Sequence, residues 1–161
     1  MKRKWAVLTG TIVCVVLLDV ITKAYVASAM VLHESIVVID GFFNITYVRN
    51  PGAAFGFLAG APPVFRMVFF LLVTVVVVVL ILFYIGKSRD VSMRETFSLS
   101  LILSGAIGNL IDRVRFGEVI DFLDVYIGSF HWPAFNVADS AISIGAAFLL
   151  FSILRHKKED V

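Results

Sequence analysis

VFRMVFFLLVTVVVVVLILFYI, residues 64 to 85, carries no charge after Arg66 and contains neither proline nor glycine. About 20 apolar residues in a helix, rising 1.5 Å each, cross the roughly 30 Å hydrocarbon core of a bilayer. A helix can do so because every backbone N–H and C=O within it finds a partner in the same segment. This stretch therefore decides the medium: the chain belongs in a membrane.

Working outward, three further apolar runs qualify: Trp5 to Ala27, Phe97 to Val114 and Val137 to Leu154. The composition agrees, with 60% hydrophobic and 16% charged residues among 161 and a mean hydropathy of +0.96, well outside the mix of a water-soluble domain. The expected fold class is an α-helical integral membrane protein with four transmembrane helices, forming a single domain over residues 1–161.

Basic residues give the orientation, because short loops rich in Lys and Arg stay cytoplasmic. Lys2, Arg3 and Lys4, then Lys87, Arg89 and Arg94, then Arg155, Lys157 and Lys158 fall on one side of a four-span chain. Both termini are thus expected in the cytoplasm, with residues 30 to 63 and 115 to 136 outside. A cleaved signal peptide ending at Ala27-Ser28-Ala29 is the competing reading of the N-terminus. The apolar stretch is too long for that, and Asp19 and Lys23 interrupt it.

Cys14 is the only cysteine, which excludes an intramolecular disulfide and a thiolate metal cluster. It reads as a small apolar residue of the first span, and Val13 before it makes it a poor lipid-attachment site. The net charge of +2 reflects the cytoplasmic flanks and gives no reason to expect nucleic-acid binding.

In the first outer segment, Ile36 to Ile39, Asp40-Gly41 and Phe42 to Val48 read as two strands joined by a tight turn, since both central positions of an Asp-Gly hairpin favour positive φ. Phe43, Ile45 and Tyr47 are expected on one face, Asn44 and Thr46 on the other. A small outward-facing sheet could rest on the membrane surface. The loop Arg49-Asn50-Pro51-Gly52-Ala53-Ala54-Phe55-Gly56 follows, its proline and glycines breaking regular structure.

The polar residues within spans carry the chemistry. A charge at membrane depth costs at least about 2.5 to 3.5 kcal/mol, so each needs a partner or a function. Asp19 and Lys23 are four apart, on one helical face, with the acid N-terminal to the base. In the third span, steps of four align Ser104, Gly108 and Asp112, and beside them Gly105, Asn109 and Arg113. The glycines allow close helix packing, but packing does not explain Asn109, Asp112 and Arg113 together.

Asp121 and Asp139 flank the second outer segment, and neither has a neighbouring basic residue in sequence to keep it ionised. Two carboxylates meeting in a poorly hydrated site share a proton, giving one acid and one base, as activating water against an amide requires. Spacing leaves Asp124 in place of Asp121, and Asp112 as a third candidate. His33, His131 and His156 lack metal-ligand spacing, no Gly-x-Ser-x-Gly occurs, and Cys14 has no nearby base. Charged and amide residues inside spans also mark ion paths, so a small transporter or proton-relay subunit is the alternative, although no internal repeat is visible.

Five elements in order, Asp19-x-x-x-Lys23, Arg49 to Gly56, Gly108-Asn109-Leu110-Ile111-Asp112-Arg113, Val119-Ile120-Asp121-Phe122 and Phe135-Asn136-Val137-Ala138-Asp139, resemble the lipoprotein signal peptidase family, the type II signal peptidases. Ser104 stands where that family often has glycine. The resemblance implies a four-span aspartic peptidase of the bacterial cytoplasmic membrane that cuts diacylglyceryl-modified prolipoproteins immediately before the lipidated cysteine. It further implies Asp121 and Asp139 as an outward-facing catalytic pair, supported by Asp19, Lys23, Asn50, Asn109, Asp112, Arg113 and Asn136. No metal or organic cofactor is expected, and the partners are substrate and membrane lipid around a monomer.

Overall fold

In a computed structural model, which describes residues 2–53, 56–87 and 91–159, the four expected spans form four helices: α1 (Lys2–Ala29), α2 (Pro63–Lys87), α3 (Met93–Phe116) and α4 (Val137–Glu159). All four are long and apolar enough to cross a membrane. Each begins or ends within a few residues of the sequence expectation, and α4 starts at the expected Val137. Of the motifs above, Ala54 and Phe55 in the loop and Arg89 in the second basic cluster lie outside the described residues, as do the side chains of His156, Lys157 and Lys158.

Local chemistry sets the helix ends. Pro63 opens α2, where its fixed φ suits the first turn and no N–H partner is needed. The lone charge between residues 64 and 85, Arg66, turns back so that Nη1 donates to the carbonyls of Ala59 and Ala61 at 2.7 and 3.1 Å. A capping box opens α3: the Glu95 N–H donates to Ser92 Oγ at 3.1 Å and the Ser92 N–H to Glu95 Oε2 at 2.9 Å. Gly117, at φ 76°, closes it by donating its N–H to the Arg113 carbonyl.

The first span is sorted against ordinary expectation. Its buried residues are Leu8, Asp19, Lys23 and Val26, whereas Leu17, Leu18, Ile21 and Tyr25 are exposed. In lipid this is favourable, because apolar side chains already have an apolar solvent, and the charges must face protein. Helix α3 is central and packs against α1, α2 and α4. Leu8, Ile81, Ile85, Leu99 and Leu103 form the apolar cluster joining α1, α2 and α3. Against α4 the approach is closer still: a Cβ on Gly105 would collide with the Ala138 carbonyl, and one on Gly145 would lie 2.7 Å from the Ser98 carbonyl.

The outer segments pair with each other. Strands β1 (Ser35–Ile39), β2 (Phe43–Asn50), β3 (Val119–Ile127) and β4 (Phe130–His131) make one antiparallel sheet in the order β1-β2-β3-β4. The hairpin was legible, but its turn differs from the expected one. Phe42 N–H closes on the Ile39 carbonyl, and only Gly41 has positive φ, at 74°, so Asp40 keeps ordinary backbone geometry. Between Ile45 and Val48 the register shifts, three steps on β2 facing two on β3. That shift breaks the strict alternation expected of β2: Asn44 and Thr46 are buried, and so is Tyr47. Tyr47 joins Val26, Met30, Ile120 and Phe122 in the cluster that seats the sheet on the end of α1.

Candidate active site

Asp121 and Asp139 reach the same place from different elements. Asp121 lies on β3, opposite Val48 of β2, and is 2% exposed. Asp139 stands in the first turn of α4, partly exposed, where the helix N-terminus favours negative charge. One asparagine joins them. Asn136 Nδ2 donates to Asp121 Oδ1 at 2.7 Å, and Asn136 Oδ1 accepts the backbone N–H of Asp139 at 2.9 Å. The second contact is an N-cap, so the residue that starts α4 also holds the other carboxylate.

Two more amides complete the cradle. Asn50 Nδ2 donates to Asp121 Oδ2 at 3.0 Å, and its Oδ1 accepts the Gly52 N–H at 3.0 Å. Asn109 Nδ2 donates to Asp139 Oδ1 at 2.7 Å, while Asn109 Oδ1 accepts from Lys23 Nζ at 3.1 Å and Asn136 Nδ2 at 3.2 Å. Burial and then the nearby charge of Asp139 push the Asp121 carboxyl up to about 7, against the hydrogen bonds from Asn50 and Asn136 and the charge of Lys23. The pair can therefore hold one proton near neutral pH.

Behind the pair lies a buried ionic cluster. Lys23 Nζ is 2.7 Å from Asp19 Oδ2 and 3.1 Å from Asp112 Oδ2. The partner of Asp112 is thus a lysine from another helix, not the adjacent Arg113. Asp19 Oδ1 accepts the Ala138 N–H at 2.9 Å, and Asp112 Oδ2 accepts the Ile120 N–H at 3.1 Å. Arg113 instead crosses to the loop, where Nη2 donates to the Gly52 carbonyl at 2.8 Å, and its guanidinium stacks 4.0 Å from the Phe70 ring centroid. Its Nε is buried with no hydrogen-bond partner among the described residues. A Cβ on Gly52 would collide with the Phe57 carbonyl, which accounts for glycine at the centre of that loop.

Asp124, the other sequence candidate, is occupied elsewhere. It accepts from Asn44 Nδ2 at 2.9 Å and bonds His131 Nδ1 at 2.9 Å, with His131 stacked on Tyr126. Among the described residues no group of three or more His, Cys, Asp or Glu converges as metal ligands would.

The signal peptidase II model matches residues 11–155 of this chain. The chain belongs to the signal peptidase II family. Within it, the lipoprotein signal peptidase of Syntrophus aciditrophicus is 60% identical over 99% of both chains. That of Desulforapulum autotrophicum is 50% identical over 91% of both. A solved structure described as a bacterial membrane enzyme superposes with a TM-score of 0.86 at 35% identity, covering 96% of this chain and 91% of the other. For this signal peptidase II chain, all nine residues singled out in the sequence converge on one region. Sequence reasoning missed Phe70, which resembles any other lipid-facing aromatic of its span. It also missed the backbone N–H groups of Ile120 and Ala138, which no side-chain pattern can advertise.

Proposed function

We propose that the protein is an aspartic endopeptidase that removes signal peptides from diacylglyceryl-modified bacterial prolipoproteins, cutting immediately before the lipidated cysteine. The observation that carries this reading is the single Asn136 side chain that bonds the Asp121 carboxyl and caps the backbone N–H of Asp139. The relatives named lipoprotein signal peptidase supply the substrate class.

Asp121, buried and with its carboxyl pushed up to about 7, is the acid. Asp139, partly exposed at the start of α4, is the base. Asp139 takes a proton from water, whose oxygen attacks the carbonyl carbon preceding the cysteine, while Asp121 donates a hydrogen bond to the carbonyl oxygen. The C–N bond then breaks and the leaving amine takes up a proton from the pair. Asn50, Asn109 and Asn136 hold the two carboxyls, and Arg113, whose Nε has no hydrogen-bond partner among the described residues, is the donor in reserve for the developing oxyanion.

The whole chain acts as one membrane domain of the cytoplasmic membrane, with both termini inside and the aspartate pair near the outer face. An apolar signal helix enters between spans while the lipid chains of the cysteine stay in the bilayer. The test is cleavage of a purified, diacylglyceryl-modified prolipoprotein by reconstituted protein, with Asp121→Asn and Asp139→Asn variants confirmed to be folded. Cleavage before the cysteine by wild type and none by either variant is expected. Near-full activity in either variant means the wrong carboxylate has been named, and an inert wild type ends the peptidase reading.

A further inference from the structure

The catalytic reading gives no direct part in the chemistry to three of the most deeply buried charged groups, Asp19, Lys23 and Asp112, at 0%, 1% and 3% exposure. Mutual neutralisation needs only the pair on α1, yet both carboxylates also hold a backbone group outside the cluster. Asp19 Oδ1 takes the N–H of Ala138, the residue before Asp139. Asp112 Oδ2 takes the N–H of Ile120, the residue before Asp121. Lys23 lies between the two carboxylates and also donates to Asn109 Oδ1, whose amide nitrogen holds Asp139.

We propose that the Asp19–Lys23–Asp112 cluster is a positioning device, which fixes the separation of Asp121 and Asp139 by gripping the peptide N–H immediately before each. This inference rests on the catalytic reading above. The two aspartates stand on a strand and on a helix, so their separation depends on how the sheet sits against the bundle. Each N–H is held by a carboxylate that Lys23 also grips, and at 0% and 3% exposure neither acceptor is open to solvent. The room for this cluster is built into α3: a Cβ on Gly108 would lie 2.7 Å from Asp19 Oδ2. These residues are positioning residues, since they act through backbone groups and the amide of Asn109.

Misplacing a reacting group by about 1 Å can reduce rate about a hundredfold, and this sets the scale of the test. In reconstituted protein, Asp19→Asn and Asp112→Asn keep an oxygen that can accept the N–H, so kcat per folded molecule is expected to fall about tenfold. Asp19→Leu and Asp112→Leu lose the acceptor, and a fall of about a hundredfold is expected, with KM unchanged in all four. Gly108→Ala displaces Asp19 without altering any charge, and is expected to lower kcat about tenfold at unchanged KM. It decides the matter together with the Asn variants if the Leu variants do not fold.

A role confined to holding the fold predicts otherwise: losses would follow the folded fraction, and kcat per folded molecule would equal wild type. That result in the Asn variants and Gly108→Ala, with Asp121→Asn and Asp139→Asn inactive, overturns the positioning device alone. An inert wild type overturns the catalytic reading and the device with it.

Discussion

Asp121 gives up its proton near pH 7 in the folded protein and near pH 3.8 in an unfolded chain. Between those values the folded state binds a proton that the unfolded state has released, so this group's contribution to stability falls as pH rises across the window. Asp121→Asn, neutral throughout, is expected to melt several degrees above wild type at pH 8, with the gap closing towards pH 4. A constant gap at every pH would mean that ionisation of Asp121 is not being felt. In wild type, kcat/KM is expected to fall above about pH 7 as the acid is lost, and Asn50→Ala, which removes a hydrogen bond favouring the ionised form, to move that limb to higher pH. At this scale the candidate site was largely legible, because Asp19, Asn109 and Asp112 are out of place in a span. What could not be read was the partner of Asp112. Sequence put Arg113 beside it, whereas helical geometry sends Arg113 towards Gly52 and Phe70 and gives Asp112 to Lys23.

Helices α3 and α4 meet along Gly105 and Gly145, where a side chain on either would press on a backbone carbonyl of the facing helix. Overpacking of this kind costs about 1 to 3 kcal/mol. Gly145→Ala is expected to lower the melting temperature with kcat near wild type, since its contacts are Ser98, Leu101 and Ile102. Gly105→Ala presses on Ala138, next to Asp139, and is expected to lower both stability and kcat. Equal kcat in the two variants would show that the seam does not bear on the pair. The spans were readable as elements from hydropathy and the β1–β2 hairpin from Asp40-Gly41. Strand β3 was not, even though Val119 to Ile127 is rich in β-branched and aromatic residues, because two acids interrupt its alternation and its partner β2 lies some 70 positions away.

For the whole molecule, the charge pattern makes a claim about sides. In the proposed topology Ser129, exposed between β3 and β4, lies outside, and Lys2 inside. A membrane-impermeant maleimide is expected to label Ser129→Cys in intact cells, and Lys2→Cys only after permeabilisation; the reverse pattern would invert the topology. The burial of Asp19 and Lys23 in α1 has a further consequence, in the order of synthesis. The first span leaves the ribosome with its polar stripe uncovered, and the groups that cover it come later: Asp112 and Asn109 on α3, then Ala138 on α4. Until then the only one of these partners that α1 itself supplies is the pairing of acid and base, one turn apart. The last helix brings both the Ala138 N–H that Asp19 holds and Asp139 itself, so one arrival finishes the cover of that stripe and the aspartate pair.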